Sequence, residues 1–145
     1  MNNILYLLLL FKIGKFEIYK TLQSVMLDYL SLQSIKPDEI KLFNRLLQGD
    51  IHHLPEEQIS GSGYVVSTLE ASIWCLLTTN TYREAVLKAV NLGKDTDTTA
   101  AVTGGLAGLL YGYENIPIDW RQKIVRHNDI EKLAERVFSF QFSEI

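Results

Sequence analysis

The sequence has one cysteine, three prolines and no apolar run longer than eight residues; it also lacks any run of lysine and arginine and any sustained alternation of apolar and polar residues. Each shortage excludes something. Cys75 has no partner for an internal disulfide, and its place between Trp74 and Leu76 in an apolar run marks a buried, inert thiol. Without period-two alternation there is no sheet to propose, so helical periodicity carries the chain and the expected class is all-α, an orthogonal helical bundle. A net charge of −3 with no basic stretch argues against nucleic acid as a partner, leaving a metal ion or backbone amides to hold any anionic ligand. The run from Ile4 to Phe11 falls short of the roughly 20 residues a bilayer span needs. No basic residues precede it and no small-residue cleavage site follows, so the expected location is cytoplasmic, with no membrane contact. If helices upstream of it are absent, that run is the expected surface for a homodimer or a complementing chain.

What remains is an ordinary globular composition, 47% apolar and 21% charged over 145 residues, enough for one domain spanning residues 1–145. Helices are expected from Asn2 to Lys12 and from Phe16 to Leu32, with Gly14 as the break between them. Pro37 opens another, with Ile40, Phe43, Leu46 and Leu47 at helical spacing and Gly49 as its stop. Asp50 to Gly63 reads as a polar loop. Its adjacent His52 and His53 are not placed in a metal site, because neighbouring side chains diverge and no His-Glu-x-x-His pattern is present. From Tyr64 the chain is helical again, with Val65, Leu69, Ile73 and Leu76 at core spacing and Glu70 in a structural role. Thr81 and Glu84 form a capping box for a helix that turns Ala85, Val86, Ala89 and Val90 inward and ends at Gly93. Pro117 starts a helix containing Trp120, Ile124 and Val125, and Asp129 a last one containing Leu133, Val137 and Phe138.

The stretch from Gly93 to Gly112 is the unusual one. A helix opening needs one Asp, Ser or Thr to accept from its free amides, and this one offers Asp95, Thr96, Asp97, Thr98 and Thr99. Two carboxylates and the Thr98 hydroxyl make a hard, oxygen-only set suited to magnesium, manganese or calcium rather than zinc. A helix cap with spare threonines is the alternative. Behind these oxygens, Ala100, Gly104, Gly108 and Gly112 form a row along one face. Three interior glycines cost a helix about 3 kcal/mol, offset only by close packing of another backbone, so this helix is expected to be central and buried.

Upstream, Gly61-Ser62-Gly63-Tyr64 precedes the helix carrying Thr68-Leu69-Glu70-Ala71. Amides at a helix start can hold a phosphate, and an aromatic ring can cover a sugar or base. A glycine-rich cap with a packing tyrosine is the competing reading.

The two stretches together, Ser60 to Leu77 and Gly93 to Gly112, resemble the ADP-ribosylglycohydrolase family, in which a Ser-Gly-Tyr-Val…Thr-Leu-Glu-Ala helix precedes a Gly-x-Asp-Thr-Asp-Thr…Gly-Gly…Gly helix at about this spacing. The resemblance implies that Asp95, Asp97 and Thr98 ligate Mg2+ or Mn2+, with two ions in the full site, and that Ser62, Gly63 and Tyr64 contact ADP-ribose. The implied partner is ADP-ribose or an ADP-ribosylated protein. The implied reaction is hydrolysis of the bond joining ADP-ribose to an acceptor such as an arginine or serine side chain. The family's N-terminal acidic motif, Gly-Asp-x-x-Gly or Thr-Asp-Asp, is not found; Gly49-Asp50 is followed by Ile51-His52-His53 and reads as a turn. The chain thus resembles the C-terminal half of such a hydrolase, and no catalytic acid or base is assigned. Three readings are carried forward: a hydrolase whose missing acids come from elsewhere, a non-catalytic ADP-ribose binder or structural member of the same fold, and an all-α interaction module.

Overall fold

The computed structural model describes residues 14–142. Among them every regular element is a helix and no strand occurs, as the helical periodicity predicts. The expected Asn2–Lys12 helix and the apolar run from Ile4 to Phe11 lie outside these residues. The described residues fall into two units, one ending at Asn115 and one beginning at Ile116.

In the first unit α1 spans Lys15–Ser31, as its apolar spacing predicts. The helix expected after Pro37 is instead two short pieces, α2 (Pro37–Lys41) and α3 (Asn44–Leu47). Tighter bonds interrupt it, from the Leu42 amide to Glu39 O (3.3 Å) and from Phe43 to Ile40 O (3.0 Å). The carbonyls left over where α3 ends are taken by buried groups of α1: Tyr19 Oη and Gln23 Nε2 both donate to Leu46 O at 2.7 Å, and Gln23 also reaches Gly49 O at 2.9 Å.

The stretch from Asp50 to Gly63 is not the loose polar loop expected. It holds two single 3-10 turns, Ile51–His53 and Glu56–Gln58, and buries Ile51 and Ile59 in the core. The two histidine rings do not diverge either. Their centroids lie 4.0 Å apart, with Phe16 4.9 Å from His52, so the pair is packing against α1; burial and the neighbouring His53 lower the His52 pKa.

α4 (Val65–Leu77) is the helix around which this unit is built. Val66, Ala71, Trp74, Cys75 and Leu77 are buried, while Val65, placed in the core by its spacing, is 72% exposed. Leu69, Ile73 and Leu76 face an apolar cavity of about 240 Å³ lined also by Ile18, Leu22 and Leu106, which is why their core spacing leaves them only partly buried. Glu70 has the structural role expected. It is buried, 3.4 Å from Arg45 Nη1, and burial raises its pKa against the opposing pull of that guanidinium. At the C-terminus of α4, Lys15 Nζ donates to the carbonyls of Leu76 and Thr79 and to Asn80 Oδ1, a cation on the negative end of the helix.

Cys75 is fully enclosed, and burial pushes its thiol up to about 12. At pH 8 its thiolate fraction is then on the order of 10⁻⁴, so a thiol-specific disulfide reagent is expected to label the chain only after denaturant is added. Labelling of the folded chain at the rate of a free thiol would contradict the enclosure.

The capping box forms at α5 (Tyr82–Asn91): Thr81 Oγ1 accepts from the Glu84 amide at 3.1 Å. The return bond reaches Glu84 Oε2 from the Asn80 amide (2.9 Å), one residue earlier than the pattern requires. Ala85 and Ala89 are buried as expected, but Val90 is exposed. α6 (Thr96–Tyr111) is not the fully buried central helix its glycines predict. Only Thr99, Thr103 and Ala107 are buried, and the glycine row meets a side chain rather than a backbone: a Cβ on Gly104 would lie 3.3 Å from Tyr82 Oη, and Gly105 faces open space. Gly112, at φ +85°, ends the helix instead of extending the row.

In the second unit α7 (Ile118–Lys123) begins after Pro117 as predicted but stops short of Ile124 and Val125, where the backbone turns extended and then left-handed at Arg126 (φ +63°). α8 (His127–Phe142) starts two residues before Asp129. Among the described residues no helix is long and apolar enough to cross a membrane.

Candidate functional site

The two motifs singled out in the sequence touch. The Asp95 amide donates to Gly61 O at 2.9 Å, across 34 positions of sequence. A Cβ on Gly61 would strike the Gly93 carbonyl, and one on Gly63 would strike Asp95 Oδ2. Glycine at both positions therefore lets the loop before α4 lie directly on the loop before α6. The second loop is bent to meet it by two consecutive left-handed residues, Gly93 (φ +79°) and Lys94 (φ +63°); the latter is a conformation that a residue with a side chain adopts only when its surroundings hold it there.

The oxygens at the start of α6 are only partly spent on its free amides. Asp95 occupies the N-cap position, yet its side chain accepts no backbone bond. Its Oδ1 accepts instead from the Thr98 hydroxyl at 2.9 Å, and Asp97 Oδ1 takes the Thr98 amide at 2.8 Å. The Asp97 carboxyl is held below the usual carboxylate range, first by its hydrogen bond with the Asp95 side chain and then by that amide. Asp95, Asp97 and Thr98 thus form one contiguous group, with Gly63 against its Asp95 face.

The first loop is arranged less simply than expected. The Ser62 amide is engaged by Ser60 Oγ (3.3 Å), and Ser62 O accepts from Thr68 Oγ1 (3.4 Å), so the turn is tied internally at Ser62 and onto the first turn of α4. Tyr64, at the N-cap of α4, is 53% exposed beside it. His52 and His53 stand with Asp50 and Lys20 on α1, apart from this junction. Among the described residues no group of three His, Cys, Asp or Glu side chains gathers in a metal-holding arrangement.

Three participants escaped the sequence reading. Gly61 was passed over although its carbonyl holds Asp95; its spacing of two from Gly63 was the available signal. Thr99 and Ser72 are fully buried with their hydroxyls bonded toward this junction, Thr99 Oγ1 to Asp95 O at 3.0 Å and Ser72 Oγ to Thr99 O at 3.3 Å. Thr99 stood among spare cap threonines, and nothing local distinguished it.

The chemistry of this junction is that of hard oxygen donors. Two carboxylates and a hydroxyl fit Mg2+ or Mn2+, but they supply only part of the six or more oxygens such ions take. Comparison with known proteins agrees with the motifs. The chain is 46% identical over 90 residues to ADP-ribosylarginine hydrolase Tri1 of Serratia proteamaculans, covering 62% of this chain and 25% of that protein. It is 37% identical over 83 residues to the ADP-ribosyl-[dinitrogen reductase] glycohydrolase of Rhodospirillum rubrum, covering 56% and 28%. To ADP-ribosylhydrolase ARH3 of Mus musculus it is 30% identical over 116 residues, covering 68% and 31%. The chain therefore spans about a quarter to a third of the length of these relatives. The model of the ADP-ribosylglycohydrolase family matches residues 7–143, well beyond the two motifs on both sides. By that match the chain belongs to the ADP-ribosylglycohydrolase family.

Proposed function

We propose that this chain carries one side of a metal-dependent site that hydrolyses the bond between ADP-ribose and an acceptor side chain. The observation that supports this most is the contact of the two loops: the Asp95 amide on Gly61 O and Gly63 against Asp95 Oδ2 put the acidic group next to an exposed tyrosine and a serine. In this reading Asp95, Asp97 and Thr98 hold Mg2+ or Mn2+, two ions in the complete site. Ser62, Gly63 and Tyr64 line the place of ADP-ribose. A divalent cation bound there supplies charge that orients the ribose hydroxyls and favours a reactive water. The residues do the rest. The Thr98 hydroxyl donates to Asp95 Oδ1, which ties the orientation of that carboxylate to the first turn of α6. The Tyr64 ring offers its face to a sugar or base.

The remaining metal ligands and the general acid or base come from outside the described residues, on the same polypeptide or on a complementing chain. ADP-ribosylarginine is the first substrate to try, since the Serratia relative carries that name at 46% identity. We place the reaction in the cytoplasm. Binding of ADP-ribose without turnover is the second reading, favoured by the incomplete donor set among the described residues.

Calorimetric titration with Mn2+, with and without ADP-ribose, separates these readings, with Asp97→Ala as the control. Saturable Mn2+ binding that tightens with ADP-ribose and is lost in Asp97→Ala is expected. Release of ADP-ribose from ADP-ribosylarginine then marks the hydrolase, and its absence marks the binder. No saturable Mn2+ binding, or binding unchanged in Asp97→Ala, would sink the metal-dependent reading; ADP-ribose affinity that persists without Mn2+ would leave the binder, and its absence would leave a helical interaction module.

A further inference from the structure

The interface between α4 and α6 is more polar than packing requires. Ser72, Thr99 and Thr103 are all fully buried there, in positions where alanine or valine would fill the same space. A buried hydroxyl weakens a core unless it is hydrogen-bonded, and each of these three is bonded in one direction, along α6 toward its first turn or onto it from α4.

We propose that Thr99 and Ser72 are positioning residues that hold Asp95 in place for the site, an inference that rests on the metal-site reading above. Thr99 Oγ1 donates to the Asp95 carbonyl at 3.0 Å, and the Thr99 amide reaches the same oxygen at 3.3 Å. The Thr99 carbonyl in turn accepts from Ser72 Oγ of α4 at 3.3 Å. Three of the four polar groups of Asp95 are thereby bonded. Its amide is on Gly61 O, its carbonyl on Thr99 and its Oδ1 on the Thr98 hydroxyl, while Oδ2 lies against Gly63. Ser72 belongs to the helix that starts two residues after Gly63, so α4 supports the junction twice, with the loop at its start and with a hydroxyl about two turns in. Asp97 is exposed, and its carboxylate is held by the Thr98 amide rather than from α4.

Threonine commonly donates to the carbonyl four residues back in a helix, and Thr103 does this to Thr99 O at 2.8 Å, one turn farther from the junction. Thr103→Val is therefore the control for the direct bond alone: an equally buried hydroxyl that shares the Thr99 carbonyl with Ser72 but makes no bond to Asp95 itself. Two readouts are needed, exchange of the Asp95 amide without metal and Mn2+ affinity by calorimetry. Thr99→Val is expected to speed exchange of the Asp95 amide relative to Thr103→Val and to weaken Mn2+ by about 10- to 100-fold, the range for removing a partner that orients a metal ligand. Thr99→Ser is expected to restore both. Ser72→Ala, which leaves no β-branched void, tests the same link with a smaller change in the same direction if Thr99→Val does not fold. Equal exchange in Thr99→Val and Thr103→Val, or no effect of Ser72→Ala on the Asp95 amide, overturns the proposal. Failure of the metal-site reading would show differently, as a wild-type chain that binds no Mn2+, and the exchange comparison would still decide whether these hydroxyls position Asp95.

Discussion

Gly63→Ala is expected to weaken Mn2+ binding by about tenfold or more while changing stability by less than about 1 kcal/mol, whereas Gly61→Ala is expected to destabilise the fold itself by about 1–3 kcal/mol. The two glycines are two residues apart and meet different things. A Cβ at Gly63 would collide with the Asp95 carboxylate, the end of a side chain, which can swing aside. That relieves the clash at little cost to packing but moves the oxygen the site depends on. A Cβ at Gly61 would collide with the Gly93 carbonyl, and the Leu92 carbonyl stands 3.3 Å away. Backbone cannot swing aside, so the two loops must part, and the bond from the Asp95 amide to Gly61 O goes with them. Thermal unfolding and Mn2+ calorimetry on both variants check this. If Gly63→Ala binds Mn2+ like the wild type, the Asp95 carboxylate is not a ligand. If Gly61→Ala is as stable as the wild type, the loops are not held as closely as described.

Trp74→Ala is expected to cost about 3–5 kcal/mol, a large share of the stability of a domain this size. The indole is 3% exposed in the middle of α4 and packs in the core cluster with Ile51, Ile59 and Ala71. Its Nε1 donates to Leu54 O at 2.9 Å, which pins the 3-10 stretch between Asp50 and Gly63 to α4. Lys88 Nζ lies 3.8 Å from the ring centroid, tying α5 to the same side chain through a cation–π contact. Truncation removes all three at once and leaves a void. Urea unfolding of the variant measures the loss; a loss under about 1 kcal/mol would mean that the stretch before α4 is held mainly by Ile51 and Ile59.

The class of fold was legible, and the two motifs of the candidate site could be picked out, because both rest on patterns that local chemistry dictates. The Thr81–Glu84 capping box, the Pro37 and Pro117 helix starts and the two glycine-flanked motifs all lie where their residues predict. The errors have one physical source, which is that burial depends on what packs opposite. Val65 has core spacing but sits on the open side of the first turn of α4. Gly104 and Gly108 promised a close backbone neighbour, and α5 presents the Tyr82 side chain there instead. The stretch from Asp50 to Gly63 looked like a loop because its turn formers are frequent, although Ile51 and Ile59 anchor it. Within the site, the acidic string could be read directly. What holds it, the Gly61 carbonyl and the Ser72 and Thr99 hydroxyls, is tertiary and leaves little trace in the local pattern.

The bond from the Asp95 amide to Gly61 O joins residues separated by all of α4 and α5. Closing a loop of that length costs conformational entropy, which the packing of the two helices has to offset. A ligand that needs this junction binds the finished fold alone. At a hundred times its dissociation constant it would add about 2.7 kcal/mol to apparent stability. The melting temperature of this chain thus becomes a gauge of whether the two loops have closed.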